Sequence, residues 1–361
     1  MGKLARALAF LLTLLAAPAR GEPAGSALDD TARFLARLGA RPDSSLAPLT
    51  QAEPYPEHAE QIRAGWLRFE QPNLEQLRAW WGPYAPSKYR TVLYPFSGPD
   101  IANALSFFPN ADTYLFFGLE APGPIPALET MPPEAVFSGL NELRSALNTI
   151  FQVNYFITKG MEKKLGKGSI SSITGLLLFF LAISDREILG AKTISLPTDS
   201  GRPPIPGVEI SFRIRGGKEQ RLRYFMVNVA DAALSKSAPS FIPYLKQQGR
   251  FVTLIKSASY LLHKDGPQEP ARFDQIRALI LSQSDFLVQD DSGVPLRFFP
   301  RDQWKLRFHG RYESPTPEFA KHLQKDLRTE MQRNSTGRLP FSYGYRYKAG
   351  ESNLMTAERV F

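Results

Sequence analysis

Two groups of polar side chains, each following short apolar segments, are the residues of this chain that could bind a ligand or do chemistry. The apolar segments are continuous rather than alternating, which is typical of parallel strands covered on both faces. Because the carboxyl ends of parallel strands lie along one edge of a sheet, we expect both groups to face a common cleft. The predicted ligand-binding residues are Ser97, Asp100 and Glu120 in the first group and Lys256, Ser257, Tyr260, Asp290 and Asp291 in the second.

Hydrolysis by a serine nucleophile is one chemistry that these residues permit. It needs a base within hydrogen-bond reach of the serine and an acid that orients the base. The catalytic candidates are Ser97 as nucleophile, His263 as base and Asp290 as acid, with Ser257, Ser259 and Ser292 as other nucleophiles and Glu120 or Asp291 as other acids. No G-x-S-x-G sequence surrounds these serines, and a histidine followed by Lys264 and Asp265 is more often an exposed loop residue than a base.

The carboxylates offer two further interpretations. Glu120, Asp290 and Asp291 are oxygen ligands of the kind that Ca²⁺ and Mg²⁺ prefer, although Asp-Asp-Ser-Gly is equally good turn chemistry. Gly98 and Glu120 are spaced like the turn glycine and the ribose-binding acid of a dinucleotide fold. The chain has no G-x-G-x-x-G and no Walker A sequence, so no cofactor is assigned.

The elements that must position these residues predict an α/β fold. Residues 91–120 and 251–293 share one order of strand, serine-containing turn, helix, strand and acidic end. Residues 208–214 and 222–229, joined by residues 215–218, read as an antiparallel hairpin with one wet face. We therefore expect a mixed, largely parallel sheet with Rossmann-like βαβ units, an antiparallel hairpin and a helical N-terminal layer.

The domain organisation follows from this order. Residues 22–90 form the predicted helical layer, and residues 91–361 form an α/β domain with halves at 91–190 and 192–300, followed by a strand, a helix and a tail. Helices are predicted at residues 27–39, at 58–81 with a break at 71–73 and Asn73 as N-cap, at 133–150 with helical character to 164, at 271–283 and at 317–333.

Three apolar or aromatic segments have open interpretations. Trp66, Trp80, Trp81 and Tyr84 either dock the helical layer or form a platform for sugars, and docking is the commoner use of such rings. Residues 173–183 are too short to span a bilayer and predict a buried helix or strand. The tail around Tyr343, Tyr345, Arg346 and Tyr347 either folds over the sheet edge as a lid or is a poorly packed terminus.

Composition and the first residues predict an exported protein. Lys3 and Arg6 precede an apolar run at residues 7–17 and a small-residue cleavage site at 17–19, so residues 1–21 are predicted to be a signal peptide, leaving no membrane span. The 361 residues include no cysteine, which excludes disulfides, thiol catalysis and thiolate metal sites. The formal charge of +9 is scattered and gives no specific nucleic-acid signal.

The segments LYPFSGPD (93–100), FFGLEAPG (116–123), KSASYLLH (256–263), QDDSGVP (289–295) and YGYRYKAGESNL (343–354) together resemble a family of exported bacterial proteins. The resemblance spans nearly the whole mature chain. It implies export to the periplasm or the extracellular space and a single architecture, and it implies no catalytic residues.

The sequence therefore predicts an exported α/β protein that binds a polar small molecule or a glycan fragment at the carboxyl ends of its strands. One alternative is a periplasmic hydrolase that uses Ser/His/Asp or a carboxylate-bound metal. The other is a non-catalytic structural or interaction protein of the cell envelope, suggested by the basic charge and the numerous aromatic residues.

Overall fold

A single mixed β-sheet forms the centre of the protein. The computed structural model describes residues 15–16, 25–154, 168, 170–198, 202–266, 268–346 and 348–360. The strands are β1 (Leu15–Ala16), β2 (Thr91–Pro95), β3 (Thr113–Gly118), β4 (Glu187–Leu196), β5 (Ile205–Arg213), β6 (Gln220–Met226), β7 (Phe251–Ile255), β8 (Ser284–Gln289), β9 (Trp304–Gly310) and β10 (Asn353–Arg359).

The order of the strands is that of a doubly wound fold. Across the sheet they lie as β1-β4-β5-β6-β3-β2-β7-β8-β10-β9. The five central strands, β6, β3, β2, β7 and β8, run parallel, and antiparallel strands flank them on both sides. The chain runs from β2 to β3, continues to the outer strands β4 and β5, comes back inward to β6, and then crosses to β7 on the other side of β2. The predicted mixed, largely parallel α/β sheet is confirmed, and its topological switch point lies between β2 and β7.

Helices cover both faces of the sheet. Successive strand residues point to opposite faces, so that Val92 packs in one apolar core and Leu93 in the other. On one face lie α1 (Gly25–Leu35), α2 (Pro54–Phe69), α3 (Gln76–Trp81), α4 (Ile101–Phe107), α5 (Pro133–Val153) and α6 (Ile173–Ile183). On the other lie α7 (Asp231–Ser237), α8 (Phe241–Gln247), α9 (Asp274–Gln283) and α10 (Lys325–Asn334).

The apolar segment at 173–183 is a helix within the core. Of the two predicted alternatives, a buried helix or a buried strand, the helix is confirmed. Every residue of α6 from Ile173 to Ala182 is buried, and the Ser172 side chain caps the helix by accepting a hydrogen bond of 3.2 Å from the Gly175 amide. Among the helices in the described part of the chain, none combines the length and the apolar character that crossing a bilayer requires.

The aromatic residues of the helical layer dock it onto the core. Trp66 and Trp81 are buried, and the Trp81 indole N–H donates a 2.7 Å hydrogen bond to the Phe107 carbonyl oxygen. Trp80 packs edge-on against His309 and stacks beside Tyr84. The docking interpretation is confirmed for these rings.

Two predicted helix boundaries are wrong. The break at residues 71–73 is a π-helical segment (Glu70–Glu75), and Asn73 is not an N-cap because its amide donates back to the Phe69 carbonyl oxygen at 2.9 Å. The helix predicted at 317–333 is divided at Leu323 into a 3-10 segment (Pro317–His322) and α10. Distant contacts accompany both breaks. The Asn73 side-chain oxygen accepts hydrogen bonds from Ser342, and Gln324 donates to Tyr312 and to the Asp291 carbonyl oxygen.

Three strands, β1, β4 and β10, were not predicted, and the exposed face predicted for the hairpin is wrong. β10 lies between β8 and β9, so the C-terminal tail is part of the sheet. The predicted hairpin exists as β5 and β6, but most of its residues are buried, because β6 pairs with β3 inside the sheet.

Some predictions fall outside the described residues. α5 ends at Val153, and Asn154 adopts a left-handed conformation (φ 53°). The rest of the helix predicted to extend to residue 164 lies outside the described residues. So do Tyr347 and most of the predicted signal peptide. Within that peptide, Leu15–Ala16 forms β1, which pairs with Ser195 and Ile194 of β4.

The Leu178→Ala substitution should lower the free energy of unfolding by about 2–5 kcal/mol, because the Leu178 side chain is fully buried in α6 and its removal leaves a cavity. Urea denaturation measures this loss. The matched control is Leu119→Ala, since Leu119 is 54% exposed and should cost less than about 0.5 kcal/mol. Equal effects of the two substitutions would contradict the position of α6 in the core.

Candidate functional site

The two polar segments predicted to face each other meet at the carboxyl ends of β2 and β7. These strands are parallel neighbours, with Val92 opposite Val252 and Leu93 opposite Thr253. The segments that follow them are joined by an ion pair of 2.8 Å between the Lys256 ammonium and the Asp100 carboxylate. The predicted geometry of the two segments is confirmed, and the predicted ligand-binding role of their residues stays a prediction.

Asp100 is the centre of the first half of this network. One carboxylate oxygen accepts hydrogen bonds from Lys256 and from the Tyr94 hydroxyl, each at 2.8 Å. The other oxygen accepts from the amide and the side chain of Asn103 and so caps α4. Lys256 also donates to the Asn154 side-chain oxygen at 3.2 Å. A buried ammonium group is stable here because a carboxylate and an amide oxygen replace its water shell.

Asp290 is the centre of the second half. One carboxylate oxygen accepts from the Ser257 amide at 3.1 Å, and the other accepts from the Ser292 amide at 3.1 Å and the Ser292 hydroxyl at 2.5 Å. Burial and the neighbouring Asp291 raise the pKa of Asp290 to about 7, even though these donors favour the ionised form. Ser292 in turn accepts from the Ala258 amide at 2.8 Å, which ties the two chain segments together.

Asp291 holds the aromatic end of the network. Its carboxylate accepts from the Tyr260 hydroxyl and, at 2.8 Å, from the Asn353 side-chain amide at the start of β10. Its carbonyl oxygen accepts from Gln324 at 3.0 Å and lies 3.2 Å from His263 Nε2. Burial raises the pKa of Asp291, and burial together with Asp291 raises that of Tyr260.

The segment between Lys256 and His263 has an unusual backbone. Ser257, Ser259 and Tyr260 have positive φ angles of 52°, 50° and 52°, which are costly for residues other than glycine. Hydrogen bonds hold this conformation, because the Tyr345 hydroxyl donates to the Ser257 carbonyl oxygen and accepts from the Ser259 amide, both at 2.8 Å. The tail thus lies over the sheet edge, which was one of the two positions predicted for it; the other was a poorly packed terminus.

This network is closed to solvent. Lys256, Asp290 and Asp291 are 3%, 2% and 4% exposed. The cavity beside Lys256 and Asp100 has a volume of about 10 Å³, enough for about one water molecule. Gly344 packs so tightly on Asp290 that a Cβ atom there would lie 2.0 Å from a carboxylate oxygen. A ligand of several atoms therefore has no room among these residues in this conformation.

The side chains of two predicted site residues, Glu120 and Ser97, form no hydrogen bond with the network. Glu120 is buried at the end of β3, where its carbonyl oxygen accepts a 2.9 Å hydrogen bond from Tyr224, and one of its carboxylate oxygens has no hydrogen-bond partner. Lys256 pairs with Asp100 rather than with Glu120, Asp290 or Asp291. The Ser97 hydroxyl is also buried without a partner.

The arrangement does not assemble a serine triad. Among the contacts of the described residues, no serine hydroxyl bonds to His263, whose Nε2 lies against the Asp291 carbonyl oxygen. Within the described part of the chain there is also no group of three or more His, Cys, Asp or Glu side chains that could hold a metal ion. Ser97, His263 and Asp290 are thus not brought together as nucleophile, base and acid.

An open cleft adjoins the closed network on the side of Tyr260. Its volume is about 570 Å³, within the usual range of small-molecule sites. We call it the imidazole cleft, and it is lined by His263, Glu269, Arg297, Lys321, His322, Leu323, Gln324, Lys325 and Asp326. Apart from His263, none of these residues was predicted as a site residue. The signal available in the sequence was the basic cluster of Lys321, His322 and Lys325, which the predicted continuous helix concealed.

The two histidines of the imidazole cleft are neutral near pH 7. Burial, helped by His322 and Arg297, lowers the pKa of His263 to about 3. Burial and then Lys321 lower the pKa of His322. The His322 ring is parallel to the Tyr260 ring, with centroids 5.2 Å apart, so the cleft wall is in direct contact with the closed network.

Comparison with known protein families, with curated proteins and with solved structures gives no match to this chain. The predicted resemblance to a family of exported bacterial proteins therefore stays a prediction, and the site must be interpreted from its own geometry.

The Asp290→Asn substitution should reduce the dependence of stability on pH. A carboxyl group with a raised pKa binds its proton more tightly in the folded state, so the wild type loses stability as pH rises from about 4 to about 7, by at most about 1.4 kcal/mol per unit. The amide cannot ionise, so this part of the decrease should disappear. Urea denaturation between these pH values measures it. The exposed control Asp302→Asn should behave like the wild type, and an Asp290→Asn profile parallel to both would refute the assignment.

The Lys256→Met substitution should cost about 3–5 kcal/mol of folding free energy, because it leaves Asp100 without its cation. Chemical denaturation measures the loss, with the exposed Lys305→Met as control. Adding Asp100→Asn to Lys256→Met should recover part of the loss, since no charge then remains unpaired. A loss no larger than in the control would show that the ion pair is dispensable.

Proposed function

We propose that this protein binds a polar small molecule or a glycan fragment in the imidazole cleft. The observation that carries the proposal is the position of this cleft, which is open, about 570 Å³ in volume and next to the carboxyl ends of β7 and β8. Doubly wound sheets place their ligands outside this edge. Because the network at the switch point is closed, we place the ligand in the open cleft beside it at the same edge.

The lining of the cleft favours a hydroxylated or partly charged ligand. Arg297, Lys321 and Lys325 supply cationic donors, while Glu269 and Asp326 supply anionic acceptors. A neutral imidazole has one donor and one acceptor nitrogen. Because His263 Nε2 donates to the Asp291 carbonyl oxygen, His263 offers a ligand only its acceptor Nδ1. A ligand with several hydroxyl groups, such as a sugar, can satisfy donors and acceptors of both kinds, whereas an apolar ligand cannot.

The wall of the cleft is fixed by the buried network. His263 and Gln324 both contact the Asp291 carbonyl oxygen, and the Gln324 side-chain oxygen accepts from the Leu296 amide at 2.9 Å. Such fixed polar groups lower the entropic cost of binding. In this proposal the predicted residues Asp290, Asp291 and Tyr260 support the site, while the cleft residues contact the ligand.

The two alternatives from the sequence have less support. A hydrolase needs a nucleophile bonded to a base, and the described contacts of His263 include no serine. An envelope interaction protein is suggested by the basic charge and the numerous aromatic residues, but several of these rings, such as those of Trp66 and Trp81, are buried. Export to the periplasm or the extracellular space remains part of the proposal, resting on the pattern of residues 1–21.

Titration with a panel of sugars should locate binding in the imidazole cleft. We expect glucose, N-acetylglucosamine, glucosamine and glucuronate to include at least one ligand that raises the melting temperature. Isothermal titration of that sugar should show binding weakened about tenfold or more by His322→Ala and by Lys321→Ala, because each removes a polar contact, a loss of about 1.4 kcal/mol. Lys305→Ala, which lies on β9 away from the cleft, is the matched control. Binding that is unchanged in both cleft variants, or absent for the whole panel, would count against the proposal.

A further inference from the structure

A second group of basic side chains lies on the helical face, far in sequence from the imidazole cleft. Arg37 follows α1 in a left-handed conformation (φ 62°), and its guanidinium lies over the Tyr55 ring, 4.9 Å from the ring centroid. Its Nε and Nη1 atoms are closed off from solvent and have no hydrogen-bond partner, while Nη2 remains accessible. The stacked ring therefore holds the guanidinium in place without neutralising it.

Arg37 is surrounded by further positive or proton-binding groups. Burial lowers the pKa of Arg37 to about 10, and the positive charge of Arg144 makes a smaller contribution in the same direction. His58 lies one turn of α2 after Tyr55, which contacts Arg37, and one turn before Gln61, which accepts from Arg144. Burial, then Arg37 and Arg144, lower the pKa of His58, against a smaller raising effect of Glu57. His58 lies on α2 and Arg144 on α5, and these helices pack together.

The two arginines of this group, Arg37 and Arg144, have no carboxylate partner among the described residues, and Glu57 acts only on His58. Arg144 donates instead to the neutral Gln61 side chain, and Gln61 donates at 3.0 Å to the exposed Glu57. The Arg37 guanidinium has lost water at two of its nitrogens and is repelled by Arg144, an unfavourable state that a bound anion would relieve.

We infer that Arg37, His58 and Arg144 form a binding site for an oxyanion group, such as a phosphate or a carboxylate. Guanidinium groups suit this ligand because they are weakly hydrated and offer several N–H donors to its oxygens. A neutral imidazole with one N–H adds a donor without charge. The site would stabilise the junction of α1, α2 and α5 when the anion is bound, and it is separate from the imidazole cleft.

The test is thermal unfolding of the full chain with increasing inorganic phosphate, balanced with sodium chloride so that the ionic strength stays constant. We expect phosphate to raise the melting temperature of the wild type and of Arg63→Gln, an exposed arginine on the same helix α2. Arg37→Gln and Arg144→Gln should weaken phosphate binding about tenfold or more, since each removes a charged donor. Lys321→Ala should keep the full response, which separates this site from the cleft.

Two further results decide the interpretation. Without phosphate, Arg144→Gln should be at least as stable as the wild type, because it removes repulsion, and a purely structural arginine would instead destabilise the protein when removed. Sulfate and acetate titrations then distinguish a tetrahedral from a planar oxyanion. The inference is overturned if phosphate, sulfate and acetate all leave the wild type unchanged, or if Arg144→Gln responds to them like Arg63→Gln.

Discussion

A buried ammonium group requires a carboxylate partner, and the pairing of Lys256 with Asp100 is the interaction on which the rest of this structure depends. The pair joins the two halves of the sheet where the chain reverses its direction of winding, between β2 and β7. It also connects α4, which Asp100 caps, with Asn154 at the end of α5. The residues that occupy the usual ligand position of a doubly wound fold are thus engaged with one another.

The Asp290–Asp291 pair extends this constraint to the C-terminal tail. Asp290 holds the Ser257 amide in a segment with three left-handed residues, and Asp291 binds Asn353 at the start of β10. Backbone strain of this kind persists only where surrounding contacts fix it. Since the strained segment leads into the wall of the imidazole cleft through Tyr260 and His263, the buried acids determine the shape of the surface that we propose binds the ligand.

The sequence predicted the parts of this arrangement that depend on local pattern. Short apolar strands followed by polar residues identified the edge of the sheet, and parallel pairing brought Asp100 and Lys256 together. The partners that close the network come from distant positions such as Asn154, Gln324 and Asn353, and no local pattern identifies them. β10 was missed because its pairing with β8 and β9, rather than its own alternation, makes it a strand. The imidazole cleft was missed because one continuous helix was predicted at 317–333. The chain instead breaks at Leu323, and the residues around this break line the cleft.

The central claim is that the carboxyl edge at the switch point is a closed structural centre and the ligand site lies beside it. Native-state hydrogen exchange of the Ser257, Ala258 and Ser292 amides tests this most directly, because each donates to a buried side chain of the network. The account predicts exchange only through global unfolding, with the same opening free energy as the Leu254 amide in β7. Exchange of these three amides at the rate of an open loop, while Leu254 stays protected, would contradict it.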